Sequence, residues 1–100
     1  MKCAFWTNNG SSNLLLSGCR IRNVMADGLN FCDGTSHSTV ENSHFRNTGD
    51  DALASWSPSG DWSSKQACLN NTFRNNTIEL PWHANGIAVY GGGGHQIEGN

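Results

Sequence analysis

Long apolar runs are missing: Leu14-Leu15-Leu16 and Gly86 to Tyr90 are the longest. Both fall far short of the roughly 18–20 residues that cross a bilayer as a helix, so we expect no membrane span. Basic charge is also scarce. Lys and Arg number 6 against 8 Asp and Glu, a formal net charge of −2. No basic stripe is available to neutralise a phosphate backbone, and nucleic acid is not an expected partner. Cys3, Cys19, Cys32 and Cys68 show no CxxC spacing, which removes support for zinc or a thioredoxin-like redox site and leaves structural or free thiols. His37, His44, His83 and His95 share no ligand spacing, so no metal is expected from them. Neither Lys-Ser nor Lys-Thr follows Gly91-Gly92-Gly93-Gly94, so this run reads as a turn and not a phosphate loop. The stretch Met1 to Gly10 lacks a continuous apolar segment and a small-residue cleavage site, so no export signal is visible there.

Hydrophobic residues make up 36% of the 100 residues, below the roughly 45–50% of an ordinary globular domain. Asn (13), Gly (12), Ser (11) and Thr (6) are abundant instead. Such a chain favours turns and short strands over helices. One all-β unit over 1–100 is expected.

Self-similarity organises this unit. An apolar residue precedes Arg-Asn in Ile21-Arg22-Asn23, Phe45-Arg46-Asn47 and Phe73-Arg74-Asn75. Leu16, Val40 and Cys68 stand five residues before each apolar member, and Ile97 opens a fourth turn of the pattern. A second set, Ala26-Asp27-Gly28-Leu29, Asp50-Asp51-Ala52-Leu53 and Ala84-Asn85-Gly86-Ile87, superposes without a gap and runs on into alternating strands. A period near 24 with two short strands per repeat predicts a parallel β-helix of about three to four coils. The columns Leu29–Leu53–Ile87 and Ile21–Phe45–Phe73 then form the core. Asn23, Asn47 and Asn75 are expected to stack at a bend, or else simply to fill turns. Residues 57–66 read as a loop excursion and 78–83 as a shorter one, carrying Trp62 and Trp82 either as sugar-stacking platforms or packed on the stack. The Gln96–Asn100 stretch begins a coil without a cap, and we expect an internal piece of a longer chain.

Stacking brings acids together. Asp27 aligns with Asp51 and Asn85, and Asp50 aligns with Ala26 and Ala84. With strands about 4.8 Å apart, three carboxylates would share one edge. Like charges that close make one acid keep its proton, and a protonated acid facing a carboxylate is what glycosidic hydrolysis uses. Turn formation and calcium ligation are the structural alternatives for Asp27-Gly28 and Asp50-Asp51. Trp56 and Tyr90, a few residues downstream, suit the apolar face of a sugar ring.

The stretches Ile21 to Phe31, Arg46 to Ser57 and Ala84 to Gly92 resemble glycoside hydrolase family 87, the mycodextranases and α-1,3-glucanases, and the likeness runs from about Phe5 to the end. That resemblance implies a right-handed parallel β-helix, secretion, and endo-hydrolysis of α-1,3-glucan of the mutan or nigeran type with inversion. It also implies that Asp27, Asp50 and Asp51 are the catalytic acids. Trp56, Asn85, Tyr90, Trp62 and Trp82 are the expected substrate contacts. The expected partner is an α-glucan polysaccharide, bound by a monomer without organic cofactor, structural calcium remaining open. Two alternatives stand. A pectin-cleaving polygalacturonase would show His-Gly where Asn85-Gly86 stands and a basic Arg-x-Lys that is missing. A non-catalytic carbohydrate-binding or structural β-helix would use the Asp residues in turns or on calcium.

Overall fold

The computed structural model describes residues 2–57 and 66–100. Most of the 57–66 excursion, including Trp62, lies outside the described residues. Eleven strands of three or four residues follow one another: β1 (Phe5–Thr7), β2 (Leu15–Ser17), β3 (Arg20–Arg22), β4 (Leu29–Cys32), β5 (Thr39–Glu41), β6 (His44–Arg46), β7 (Leu53–Trp56), β8 (Thr72–Arg74), β9 (Thr77–Glu79), β10 (Ile87–Tyr90) and β11 (Gln96–Glu98). No helix occurs among the described residues. The architecture is all-β. The strands form three sheets, ordered β1-β4-β7-β10, β2-β5-β8-β11 and β3-β6-β9, and every pairing is parallel. Each pass of the chain therefore lays successive strands on successive sheets, one rung above the last.

The corners explain the composition. Left-handed backbone conformations recur at Asn13, His37, Asn70 and Gly94, at Gly18, Asn42, Asn75 and Gly99, and at Asn23, Asn47 and Leu80. Asn and Gly reach this region at little cost, whereas most L-residues clash there. Buried ladders brace the same bends. Ser38 Oγ accepts from Leu14 N, Asn71 Oδ1 from Ser38 N, and His95 Nδ1 from Asn71 N. Ser43, Asn76 and Asn100 repeat the arrangement one corner later. Each buried backbone N–H that the turn leaves open thus finds an acceptor one rung away.

The core fills the space between sheets. Leu29, Phe31, Val40, Phe45, Ala52, Leu53 and Phe73 are buried together, with Leu16, Ile21, Ile78 and Ile87 packed against them. Phe31 and Phe73 stack with ring centroids 5.7 Å apart. Each such side chain contributes on the order of 1.5–3 kcal/mol by leaving water.

One expected column is corrected. Phe73 pairs with Val40, and Val40 with Leu16, while Ile21 and Phe45 are continued by Ile78. Both strand types end in an inward apolar residue, an outward polar one and a left-handed corner, so Phe73-Arg74-Asn75 imitates the motif of the neighbouring sheet. Cys68 accordingly leaves the Leu16–Val40 column, and its thiol donates to Phe31 O and Trp56 O at 3.4 Å. The amide stack joins Asn47 to Asn23 at 2.7 Å; Asn75 belongs to the corner of Asn42, and Leu80 takes the third place. The 78–83 excursion is likewise shorter than expected. Ile78 and Glu79 are strand residues in register with Phe45 and Arg46, so the chain leaves the sheet only at Leu80.

Candidate active site

The acids lie at the corner that feeds the first sheet. Ala4 N bonds to Asp27 O, Gly28 N to Asp51 O and Ala52 N to Asn85 O, at 3.2, 2.9 and 3.0 Å. This ladder stacks Cys3, Asp27, Asp51 and Asn85 on successive rungs, in the register that the alignment predicted for the last three. Asp50 N bonds to Ala26 O at 3.2 Å, which sets Asp50 over Ala26. One oxygen from each of Asp27, Asp50 and Asp51 lies within 4.8 Å of the others. They border a cavity of about 350 Å³ lined by Trp6, Ala26, Asp27, Asn30, Asp50, Asp51, Trp56 and Tyr90.

Close rung spacing at this corner depends on glycine. A Cβ on Gly28 would stand 2.5 Å from Ala52 O and 2.7 Å from Phe45 Cδ1. Its place beside Asp27 therefore reflects missing space and not a left-handed turn, since Gly28 is absent from the positive-φ positions.

The carboxyls are held differently. Asp27 is buried and its Oδ2 accepts from Asn30 Nδ2 at 2.9 Å. Burial raises its proton affinity above the usual carboxylate range, the Asn30 bond opposes that, and the charges of Asp50 and Asp51 add to the rise. Asp50 is the most open of the three, and its Oδ1 accepts from Asp51 N at 3.0 Å. Asp51 is 3% exposed. Its Oδ1 accepts from both Asn85 N and Asn85 Nδ2, at 2.9 and 3.0 Å, and its Oδ2 from the Tyr90 hydroxyl at 2.8 Å. That bond to Asp51 holds the Tyr90 phenol above its ordinary proton affinity, with burial adding to it. On the rung below, burial and then the charge of Asp27 push the Cys3 thiol up to about 11. A thiol so disposed stays protonated and adds no further negative charge.

Trp56 and Tyr90 line the cavity, paired in register on β7 and β10. Trp6, Asn30 and Cys3 were not foreseen. Trp6 on β1 meets Trp56 edge-on, with ring centroids 6.4 Å apart, so two indoles flank the outward face of β4. This flanking accounts for the burial of Asn30 although it points away from the core. For Trp6 the signal is the register alone, since Cys3 to Thr7 aligns with Asp27 to Phe31 one rung below. Asn85 is near the cavity but spends its amide on Asp51. Trp82 does not line the cavity. It stands exposed on the ridge after β9, edge-on to His83 at 5.7 Å.

Three clustered carboxylates also form the kind of oxygen set that calcium accepts. Asp51 already accepts three hydrogen bonds, which leaves its Oδ2 one further lone pair. As an acid–base constellation the set needs no rearrangement: one buried acid with raised proton affinity faces an open carboxylate across a rung.

Residues 1–99 match the family described as "Alpha-1,3-glucanase catalytic domain D2". Curated proteins contain no match. Among solved structures, the Agl-KA catalytic domain is 46% identical over 96% of this chain with a TM-score of 0.87. The catalytic unit of a thermostable GH87 alpha-1,3-glucanase from Streptomyces thermodiastaticus strain HF3-3 is 38% identical over 99%, with a TM-score of 0.90. A GH87 alpha-1,3-glucanase catalytic domain in complex with tetrasaccharides is 31% identical over 96%, with a TM-score of 0.86. The chain spans 18%, 17% and 16% of those three chains. It belongs to the alpha-1,3-glucanase catalytic domain family, glycoside hydrolase family 87.

Proposed function

We propose that this chain carries the catalytic acids of a secreted endo-hydrolase of α-1,3-glucan. The supporting observation is the convergence of three differently held carboxyls on one aromatic-lined cavity. Asp27 is the proton donor, because its burial beside two carboxylates raises its proton affinity above that of an ordinary carboxyl. It delivers its proton to the glycosidic oxygen as the bond from the anomeric carbon breaks. Asp50, open to solvent, takes a proton from the water that adds to that carbon. Asp51, held as an acceptor by three donors, faces the positive charge that develops on the sugar ring. Trp6, Trp56 and the ring of Tyr90 give the sugar an apolar wall.

A neutral glucan is favoured over pectin, since three carboxylates would repel a polyanion. The three sheets read as the walls of a right-handed parallel β-helix, the hand that crossover connections between parallel strands adopt. A polymeric substrate outside the cell accords with secretion.

The test offers α-1,3-glucan and polygalacturonate in parallel to the full-length protein, and follows the first-formed anomer by proton NMR. Cleavage of glucan alone, releasing the β-anomer, supports the reading with inversion. Release of the α-anomer would instead assign a double displacement, which carboxyls about 5 Å apart accommodate. Pectin cleavage would overturn the substrate. Chelation should leave activity and melting unchanged; a large loss of melting temperature would favour a calcium-holding structural role.

A further inference from the structure

We propose that Asn85 and Tyr90 are positioning residues that act through Asp51: the rung above the acids supplies a three-donor clamp on one carboxylate while the Tyr90 ring remains on the wall of the cavity. The inference rests on the hydrolase reading above.

A carboxyl group on a short side chain can rotate, and rotation would swing a catalytic oxygen out of line. At Asp51 each oxygen is engaged from a different direction. Oδ1 receives the backbone N–H and the side-chain amide of Asn85, and Oδ2 receives the phenol of Tyr90. Every one of these groups donates. An ionised carboxylate, which only accepts, satisfies all three at once. The anchors come from 34 and 39 residues along the chain, yet their placement is rigid. Leu53 pairs with Ile87 and Trp56 with Tyr90 in an unbroken parallel register, so the backbone ladder brings the donors to Asp51 on a fixed frame.

The column itself points the same way. From bottom to top it reads Cys3, Asp27, Asp51 and Asn85. An acid at the top would set another negative charge against Asp51; the side-chain amide replaces that repulsion with a donor. The thiol at the bottom stays neutral. The raised proton affinity of Tyr90, caused first by its bond to Asp51, is consistent with a phenol that holds its proton for the carboxylate.

Tyr90 thus has two separable parts. Its ring, 45% exposed for the residue as a whole, can meet a sugar, whereas its hydroxyl serves Asp51. Removing only the hydroxyl should affect turnover and not binding.

In the full-length protein acting on α-1,3-glucan, Tyr90→Phe is expected to lower kcat by about ten- to a hundredfold, the scale of one charge-assisted hydrogen bond, with KM within about twofold. Tyr90→Leu should raise KM as well. Both variants keep the backbone donor, and Asn85→Asp should cost more than Asn85→Ser because it sets a second carboxylate against Asp51. A second readout needs no catalysis. A difference titration of tyrosinate absorbance between the protein and its Tyr90→Phe variant isolates one phenol, and its midpoint should lie above the ordinary 10.0 and fall in Asp51→Asn. Unchanged kcat in Tyr90→Phe, or a midpoint indifferent to Asp51→Asn, would overturn the clamp even if Asp27→Asn is inactive. Conversely, a protein that cleaves no glucan but gives the expected titration would fail the hydrolase reading and leave the clamp intact. Should Tyr90→Phe not fold, titration of the phenol in Asp51→Asn, with the parent protein as reference, decides the matter.

Discussion

Asn30 Nδ2 donates to Asp27 Oδ2 at 2.9 Å, while Asn30 Oδ1 lies buried without a hydrogen-bond partner. The donor end stabilises the ionised acid and works against the burial that raises its proton affinity. An amide suits this place because it can offer either end to an acid that gains and loses a proton in each cycle.

Replacing Asn30 by Leu removes the only opposing contribution made by a side chain. Asp27 should then bind its proton still more tightly, and the alkaline limb of the kcat/KM profile should move to higher pH. A profile superposable on the parent's would detach Asn30 from the acid.

Stability should run against function at Asp27. Its folded-state proton affinity is raised above the ordinary value of 3.8, so its favourable contribution is fully present below about that pH and is lost as pH rises through the raised folded value. Asp27→Asn removes a buried charge beside two like charges and should therefore melt a few degrees higher than the parent at neutral pH. The difference should shrink on acidification. Calorimetry at neutral and acid pH checks both signs, and a lower melting temperature for Asp27→Asn at neutral pH would contradict them.

Gly28→Ala tests the close approach of rungs beneath the acids. The added methyl meets Ala52 O and the Phe45 ring, both fixed by the core, so overpacking should cost about 1–3 kcal/mol in a denaturant melt. Neutral behaviour would mean that the corner can relax.

The fold was legible where nothing interrupts the period. Leu29 and Leu53 stand 24 residues apart in strands of equal length, and their shared register sets Asp27 beneath Asp51. Phe73 was misread because an inward apolar residue followed by a polar one and Asn describes two of the three sheets equally well. Only the strand register, with its 33-residue step from Arg46 to Glu79, separates them. Trp6 is not legible from the repeat motif, because the rung that carries it, Cys3 to Thr7, has neither the Asp nor the Gly that marks Asp27-Gly28 one rung on. The bond from Tyr90 to Asp51 depends on side-chain reach across 39 residues, and no periodicity encodes that.

The register makes its own prediction. Phe73 stacks on Phe31, so Phe73→Ala should destabilise by about 3–5 kcal/mol and should couple to Phe31→Leu in a double-mutant cycle. It should not couple to Ile21→Val, which the uncorrected column set in one line with it. Coupling to Ile21 alone would restore the discarded alignment.

The most direct measurement compares glucan hydrolysis by the full-length protein with that of Asp27→Asn, Asp50→Asn and Asp51→Asn, each verified as folded by circular dichroism. Every replacement should lower kcat by about 10²–10⁴-fold. Near-parental turnover in all three would contradict the assignment of these carboxyls to catalysis.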